Sequence, residues 1–173
     1  MKTTIEDLLN RRCVRSYENK PVPEEILAEV LKAGTYAPSG MNCQSAIILA
    51  VTNKEVRDKL SKANAAVMNS PNDPFYGAPV VLAVLSDKNA RTHVYDGTLV
   101  MGNLLNAAYA LGLGCCWIHR CREVFEKPEW KEFLKQQGIT GDYEGIGFCI
   151  LGYASGPEPE PAPRKANYIY RVK

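Results

Sequence analysis

The chain is 173 residues long, 46% hydrophobic and 23% charged, with a formal net charge of +2. That length leaves room for one domain with its own core. So small a charge, with no Lys/Arg-rich run, argues against nucleic acid as a main partner. Residues 1–12 lack the apolar run of a secretory signal, so a soluble, cytoplasmic protein with its six cysteines reduced is expected.

Thr3-x-x-Glu6 is a capping-box pattern followed by Ile5, Leu8 and Leu9 at helical spacing, which predicts a first helix ending near Arg12. Pro23, Glu24 and Glu25 open a second helix, with Ile26, Leu27, Val30 and Leu31 as its apolar face. Ala46 to Thr52 is a continuous apolar run and reads as a buried strand. Asn53 caps a third, charged helix to about Asn64, and Val80 to Leu85 is a second buried strand. From Gly97 to Ile118 no side chain is charged over 22 positions, long enough to span a bilayer, but Asn103, Asn106 and four glycines favour a buried helix over a membrane span. That helix should run from about Thr92 to Leu111, stopped by Gly112-Leu113-Gly114, with a short strand at Cys115 to Ile118. A polar surface helix over Glu123 to Gln136 and a last buried strand over Gly147 to Tyr153 complete the series. Helices alternating with single strands, without a regular βαβ order, make the fold class α+β with helices on both faces of a sheet. Residues 156–163 hold four prolines and must be extended, yet Tyr168, Ile169, Tyr170 and Val172 follow, so residues 155–173 read as an arm that docks on a partner subunit.

Arg11, Arg12 and Arg15 place three guanidiniums within five residues, a dense set of fixed donors suited to a phosphate; solvated cations at a helix C-terminus are the plainer reading. The loop Pro38-Ser39-Gly40-Met41-Asn42-Cys43-Gln44 offers donors and acceptors for a heterocycle edge, or is simply a surface turn. Neither Gly112-x-Gly114 nor Gly145-x-Gly147 sits in the strand–turn–helix context of a dinucleotide fingerprint, and no phosphate-cradling P-loop spacing occurs. Cys115, Cys116, His119 and Cys121 lack the spacing of a structural zinc site, and adjacent cysteines on a strand point to opposite faces, so core packing suits them better. With two histidines and no evident nucleophile or paired carboxylates, acid–base machinery is scarce, which fits chemistry carried by a cofactor.

Four segments in order, spread over about 150 residues, resemble the nitroreductase family of FMN enzymes. Arg11-Arg12-Cys13-Val14-Arg15 is similar to its Arg-x-Ser-x-Arg/Lys element, and Pro38 to Gln44 to its P-S-x-x-N-x-Q loop. Ala108 to Ile118 resembles A-x-x-x-G-L-G-x-x-W-I, and Leu151-Gly152-Tyr153 with Arg164 resembles the L-G-Y…P-x-R close. The resemblance implies a central mixed sheet flanked by helices, a homodimer with swapped C-terminal arms, and one FMN per subunit in the interface. By motif position Arg11, Arg12 and Arg164 would hold the phosphate, and Arg15 would sit near flavin N1 and the C2 carbonyl. Pro38, Ser39, Gly40, Met41, Asn42 and Gln44 would come from the other subunit. Backbone groups from Trp117 through Ile118 and His119 to Arg120 would line the ring near N5. The implied reaction is ping-pong: NADH or NADPH supplies hydride, and an oxidised acceptor of nitroaromatic or quinone type removes it.

This chain departs from the pattern in places. Cys13 replaces the usual Ser, and His119 and Arg120 stand where Gly or an acidic residue is common. Ala162 occupies the position of a frequent Lys, for which Lys165 is the candidate to compensate, and no one of Asn64, Asn69 and Asn72 is singled out as the family's flavin-facing Asn. Two alternatives stay open: a same-fold enzyme of different reaction, such as a dehalogenase or flavin-modifying enzyme with a lid at Met68 to Gly77, and a flavin-binding or thiol redox sensor with little turnover.

Overall fold

The computed structural model describes residues 4–173, so the Thr3 half of the capping box lies outside the described residues. The core is a four-stranded sheet of β1 (Ala46–Val51), β2 (Val80–Asp87), β3 (Gly114–Ile118) and β4 (Tyr143–Gly152), in the order β1-β2-β4-β3. Helices α1 (Thr4–Asn10), α2 (Glu24–Thr35), α3 (Lys54–Met68), α4 (His93–Ala110), α5 (Cys121–Phe125) and α6 (Pro128–Gln136) surround it. β2 is buried along most of its length and alternates cleanly. Val81, Ala83 and Leu85 face one layer with Leu60, Val124, Phe125, Trp130 and Leu134, while Val80, Leu82 and Val84 face Leu27, Val30, Val100 and Leu104 in the other. Both faces of the strand are therefore withdrawn from water, which is why its sequence is an unbroken apolar run. The α+β class with helices on both faces stands.

Several expectations are corrected. All three strand ladders are antiparallel, and parallel pairing is confined to an isolated bridge between Cys13 and Cys115, so the sheet is not mixed in its named strands. That bridge also explains why α1 stops at Asn10 and not Arg12: the chain leaves the helix to let the Val14 amide donate to the Cys115 carbonyl at 2.9 Å. β1 is an edge strand and mostly half-buried, not enclosed. Asn53 caps α3 as its sequence suggests, its side chain accepting from the Val56 amide, but the helix runs on to Met68, where Asn69 closes it in the left-handed region. The single polar helix anticipated over 123–136 is two. Pro128 at the start of α6 has no N–H to donate and holds Lys127 extended, which breaks the helix there.

β4 starts at Tyr143, four residues before the anticipated start, and shifts register between Val84 and Leu85 of β2. Gly145, ahead of the anticipated strand, and Gly147, at its anticipated start, both lie within β4 and are kept small by their neighbours. A Cβ at Gly145 would fall on the backbone of Cys121, and one at Gly147 on the Trp117 indole. Gly145→Ala is expected to destabilise the protein by about 2 to 3 kcal/mol, because backbone cannot step aside as a side chain can. A urea midpoint unchanged from the parent would show that α5 is not seated on β4 as described.

Candidate functional site

The family-type motifs fall at opposite edges of the sheet. Arg11 and Arg12 leave α1, Cys13 bridges to β3, and Trp117, Ile118, His119 and Arg120 continue from the end of β3, so these residues gather at the β3 edge. Pro38 to Gln44 leads into β1 at the other edge, with roughly 14 Å of sheet between the two at the usual strand spacing. A single chain thus brings together Arg11, Arg12, Cys13, Arg15 and the 117–120 turn, and holds the 38–44 loop apart from them.

At the β3 edge the donors lack anionic partners. Among the described residues Arg11, Arg12 and Arg15 form no ion pair, whereas Arg57 and Arg122 each hold carboxylates. The Arg12 Nη1 donates to the carbonyls of Leu9 and Arg11, and its Nε is buried without a hydrogen-bond partner. An orphaned, buried guanidinium N–H is costly unless something accepts it. Arg15 is exposed. Cys13 is half-buried, and its thiol is pulled well below the ordinary value by a hydrogen bond from the Cys116 thiol; burial opposes this, and Arg11 adds to it, with Arg11 Nη1 lying 4.0 Å from the sulfur. The Cys116 thiol is pushed up in return. Cys115 and Cys116 do part to opposite faces, joining different core layers.

The turn after β3 shows a residue that sequence could not single out. Asn64, fully buried in α3, donates through Nδ2 to the His119 carbonyl at 2.9 Å and accepts from Arg120 Nε at 2.9 Å. Of the three asparagines left open, this is the one that meets the β3 turn. Its signal was a polar residue in a helix whose neighbours Leu60 and Ser61 are also buried, legible only once the packing face is known. Ile118 is buried in the core, so only its backbone faces the site. Trp117 is 44% exposed, and its ring lies 5.4 Å from that of His119.

At the β1 edge the loop is strained and anchored. Met41, Asn42 and Gln44 all take positive φ, a region that costs side-chain-bearing residues energy. The anchor is Asp96, in the first turn of α4 and 2% exposed. Its Oδ1 accepts from the Gly40 amide at 2.9 Å, and its Oδ2 accepts from Ser45 at 2.7 Å, Thr92 at 3.0 Å and the Cys43 thiol at 3.3 Å. Burial pushes its carboxyl up, but the Gly40 amide and the Ser45, Cys43 and Thr92 donors outweigh that and hold it below the usual value. Met41 is 95% exposed at the tip, with Asn42 and Gln44 exposed beside it and Ser39 accepting from the Gln44 amide. Arg164 and Lys165 lie on the exposed tail. Among the described residues Arg164 makes no hydrogen bond or ion pair, and Lys165 stacks over Tyr168 of the tail itself.

The fold is thus a two-faced α+β layer with an arginine cluster at one edge, without ion pairs among the described residues, and a preformed polar loop at the other. The chain belongs to the nitroreductase family, whose pattern it matches over residues 8–74 and 66–153. It is similar throughout to a nitroreductase with bound FMN from Bacteroides fragilis NCTC 9343, a crystal structure with 27% identity, a TM-score of 0.90 and 100% of each chain covered. It is 28% identical over 154 residues to the FMN reductase (NAD(P)H) of Bacillus subtilis strain 168, covering 75% of this chain and 62% of that protein. It is 24% identical over 184 residues to the iodotyrosine deiodinase of Thermotoga neapolitana, covering 92% of this chain and 93% of that one.

Proposed function

We propose that this chain is an FMN-dependent oxidoreductase that moves hydride from NADH or NADPH to an oxidised small molecule of nitroaromatic or quinone type. It would act in the cytoplasm as a homodimer, residues 1–173 forming one nitroreductase-like domain per subunit. The observation that carries this reading is the arginine edge: among the described residues three guanidiniums have no carboxylate partner, and one has a buried N–H that no described group satisfies. A phosphate oxygen is the acceptor that such a set fits best. Arg11 and Arg12 would take that phosphate, joined by Arg164 and Lys165 from the C-terminal arm. Cys13 would stand beside it, and backbone groups of residues 117–120 would line the ring. Bound FMN would supply two-electron hydride chemistry, for which the protein has no residue of its own.

The dimer reading rests on the separation of the two motif clusters. Pro38, Ser39, Gly40, Met41, Asn42 and Gln44 reach an arginine edge only if it belongs to a second copy. A cleft of about 390 Å³ lies under that loop, lined by Leu31, Gly34, Ala46, Ile48 and Val100, a surface suited to cover by another chain. Tyr168, Ile169, Tyr170 and Val172 are exposed on the arm, and Leu8, Leu9, Tyr95 and Leu99 on α1 and α4, far more apolar area than a monomer keeps in water. We assign the arm, residues 155–173, to the partner subunit.

The segment Met68 to Gly77 argues against a mobile lid of its own. Asp73 holds Arg57, Ser61 and the amides of Phe75 and Gly77 at once, which fastens the segment to α3. A binding module without turnover would leave Arg15 without a task.

The test is an absorbance spectrum of the purified protein, loaded with FMN and desalted, then mixed anaerobically with NADH or NADPH. Retained absorbance near ~450 nm that bleaches with one of the two is the expected result. A colourless protein would reduce the arginine cluster to a solvated helix end and end this reading.

A further inference from the structure

The side chain of Arg120 has no part in the roles given so far, and its setting is costly. Its backbone is left-handed, with φ 73 and ψ 16, a conformation that glycine takes freely and arginine does not. The conformation is imposed from two sides. Asn64 grips the carbonyl of His119 and the Nε of Arg120 together, from a helix whose own burial leaves the amide no freedom. Since Arg Nε can only donate, the Asn64 oxygen must face Arg120 and its NH2 must face the carbonyl, so the clamp has one orientation.

With Nε fastened, the plane of the fork formed by Nη1 and Nη2 is set from a held stem. Among the described residues these two nitrogens make no hydrogen bond or ion pair. Neighbouring acids do not neutralise them: Glu126 and Glu144 are held by Arg122, and Glu123 forms no ion pair among the described residues. A half-buried guanidinium with four free N–H groups and a preset plane is what bidentate recognition of a carboxylate or phosphate requires. The phosphate of the cofactor is assigned above to Arg11 and Arg12.

We propose that Arg120, positioned by Asn64, binds an anionic group, carboxylate or phosphate, on the substrate that enters beside the ring. The proposal rests on the flavin reading above for what lies next to it, and on Asn64 and Arg120 alone for the anion. The source is either a carboxylated acceptor or a phosphate of the hydride donor.

The experiment compares the parent with Arg120→Gln and Arg120→Lys, each loaded with FMN. Acceptors are 4-nitrobenzoate and its neutral counterpart 4-nitrobenzamide, with NADH and NADPH as donors. A rise in KM of about tenfold for nitrobenzoate in Arg120→Gln, with nitrobenzamide unmoved and partial rescue by Lys, supports the proposal with the acceptor as source. The same rise confined to NADPH supports it with the donor phosphate as source. Equal effects on all four compounds, or none on any, overturn it. Calorimetric titration with benzoate and with inorganic phosphate gives a readout free of turnover. Binding to the parent that is weakened in Arg120→Gln sustains the anion site even if no bleaching is seen, and equal binding to both removes it even if bleaching is normal.

Discussion

Arg15→Gln is expected to slow flavin reduction by about 100-fold in anaerobic stopped-flow mixing, with thermal stability within about 1 °C of the parent, as removal of one preorganised charge from a reacting site typically does. Stability is spared because the side chain is exposed. The kinetic loss follows from where the charge sits. Arg15 stands beyond Cys13 at the β3 edge, and it forms no ion pair among the described residues. A cation held at the N1 edge of the bound ring would stabilise negative charge arriving there, and a preset charge does this without reorganisation. Arg15→Lys, which keeps the charge but loses the planar fork, should recover part of the rate. A Gln variant as fast as the parent would take Arg15 out of the chemistry and leave it as a surface cation.

Asp96→Ala should cost about 3 to 5 kcal/mol in chemical denaturation, the usual penalty for removing one side of a buried, charged hydrogen-bond cluster. Four donors lose their acceptor at once; among the described residues Ser45 keeps another partner, the Ser86 hydroxyl. The Asn variant should be milder. Its amide can keep the oxygen toward the Gly40 amide while the Ser45 and Thr92 hydroxyls rotate to accept. Because the loop carries positive φ at Met41, Asn42 and Gln44, losing the anchor should release it, seen as faster proteolysis within residues 38–44 and weaker FMN retention. The pH dependence has a definite sign. The folded carboxyl is held below the usual value of 3.8, so its contribution is complete above that value and disappears as pH falls through the lower, folded one. The gap between parent and Asp96→Asn should therefore be constant from neutral pH down to about 5 and narrow in stronger acid. A gap that widens in acid would mean that Asp96 is protonated in the folded protein.

Part of the chemistry was legible only as a set of motifs in order. Taken singly, three arginines in five residues and the Pro-Ser-Gly-Met-Asn-Cys-Gln loop read as a solvated helix end and a surface turn, and they pointed to FMN through their joint resemblance to the nitroreductase pattern. The buried strands were plain, since β2 and β4 are enclosed by helices on both faces and so read as apolar runs. What local pattern could not reach were choices made by distant neighbours. The start of β4 ahead of Gly147 was not visible, and only the approach of Cys121 and Trp117 explains why Gly145 and Gly147 are small. Asn64 and Asp96 looked like ordinary polar helix residues. Their roles come from partners 55 and 56 positions away at His119, Arg120 and Gly40.

Sequence by itself thus determined the α+β class, the places of most strands and helices, and the candidate ligands, because periodicity, caps and dense clusters of one charge are local properties. Tertiary structure alone decided the strand order, the antiparallel ladders, the end of α1 at the Cys13–Cys115 bridge, and the division of the motifs between two edges. Those depend on which surfaces meet. The free energy of burying a face or satisfying a distant hydrogen bond outweighs the few tenths of a kcal/mol per residue, roughly, by which a segment prefers one local conformation.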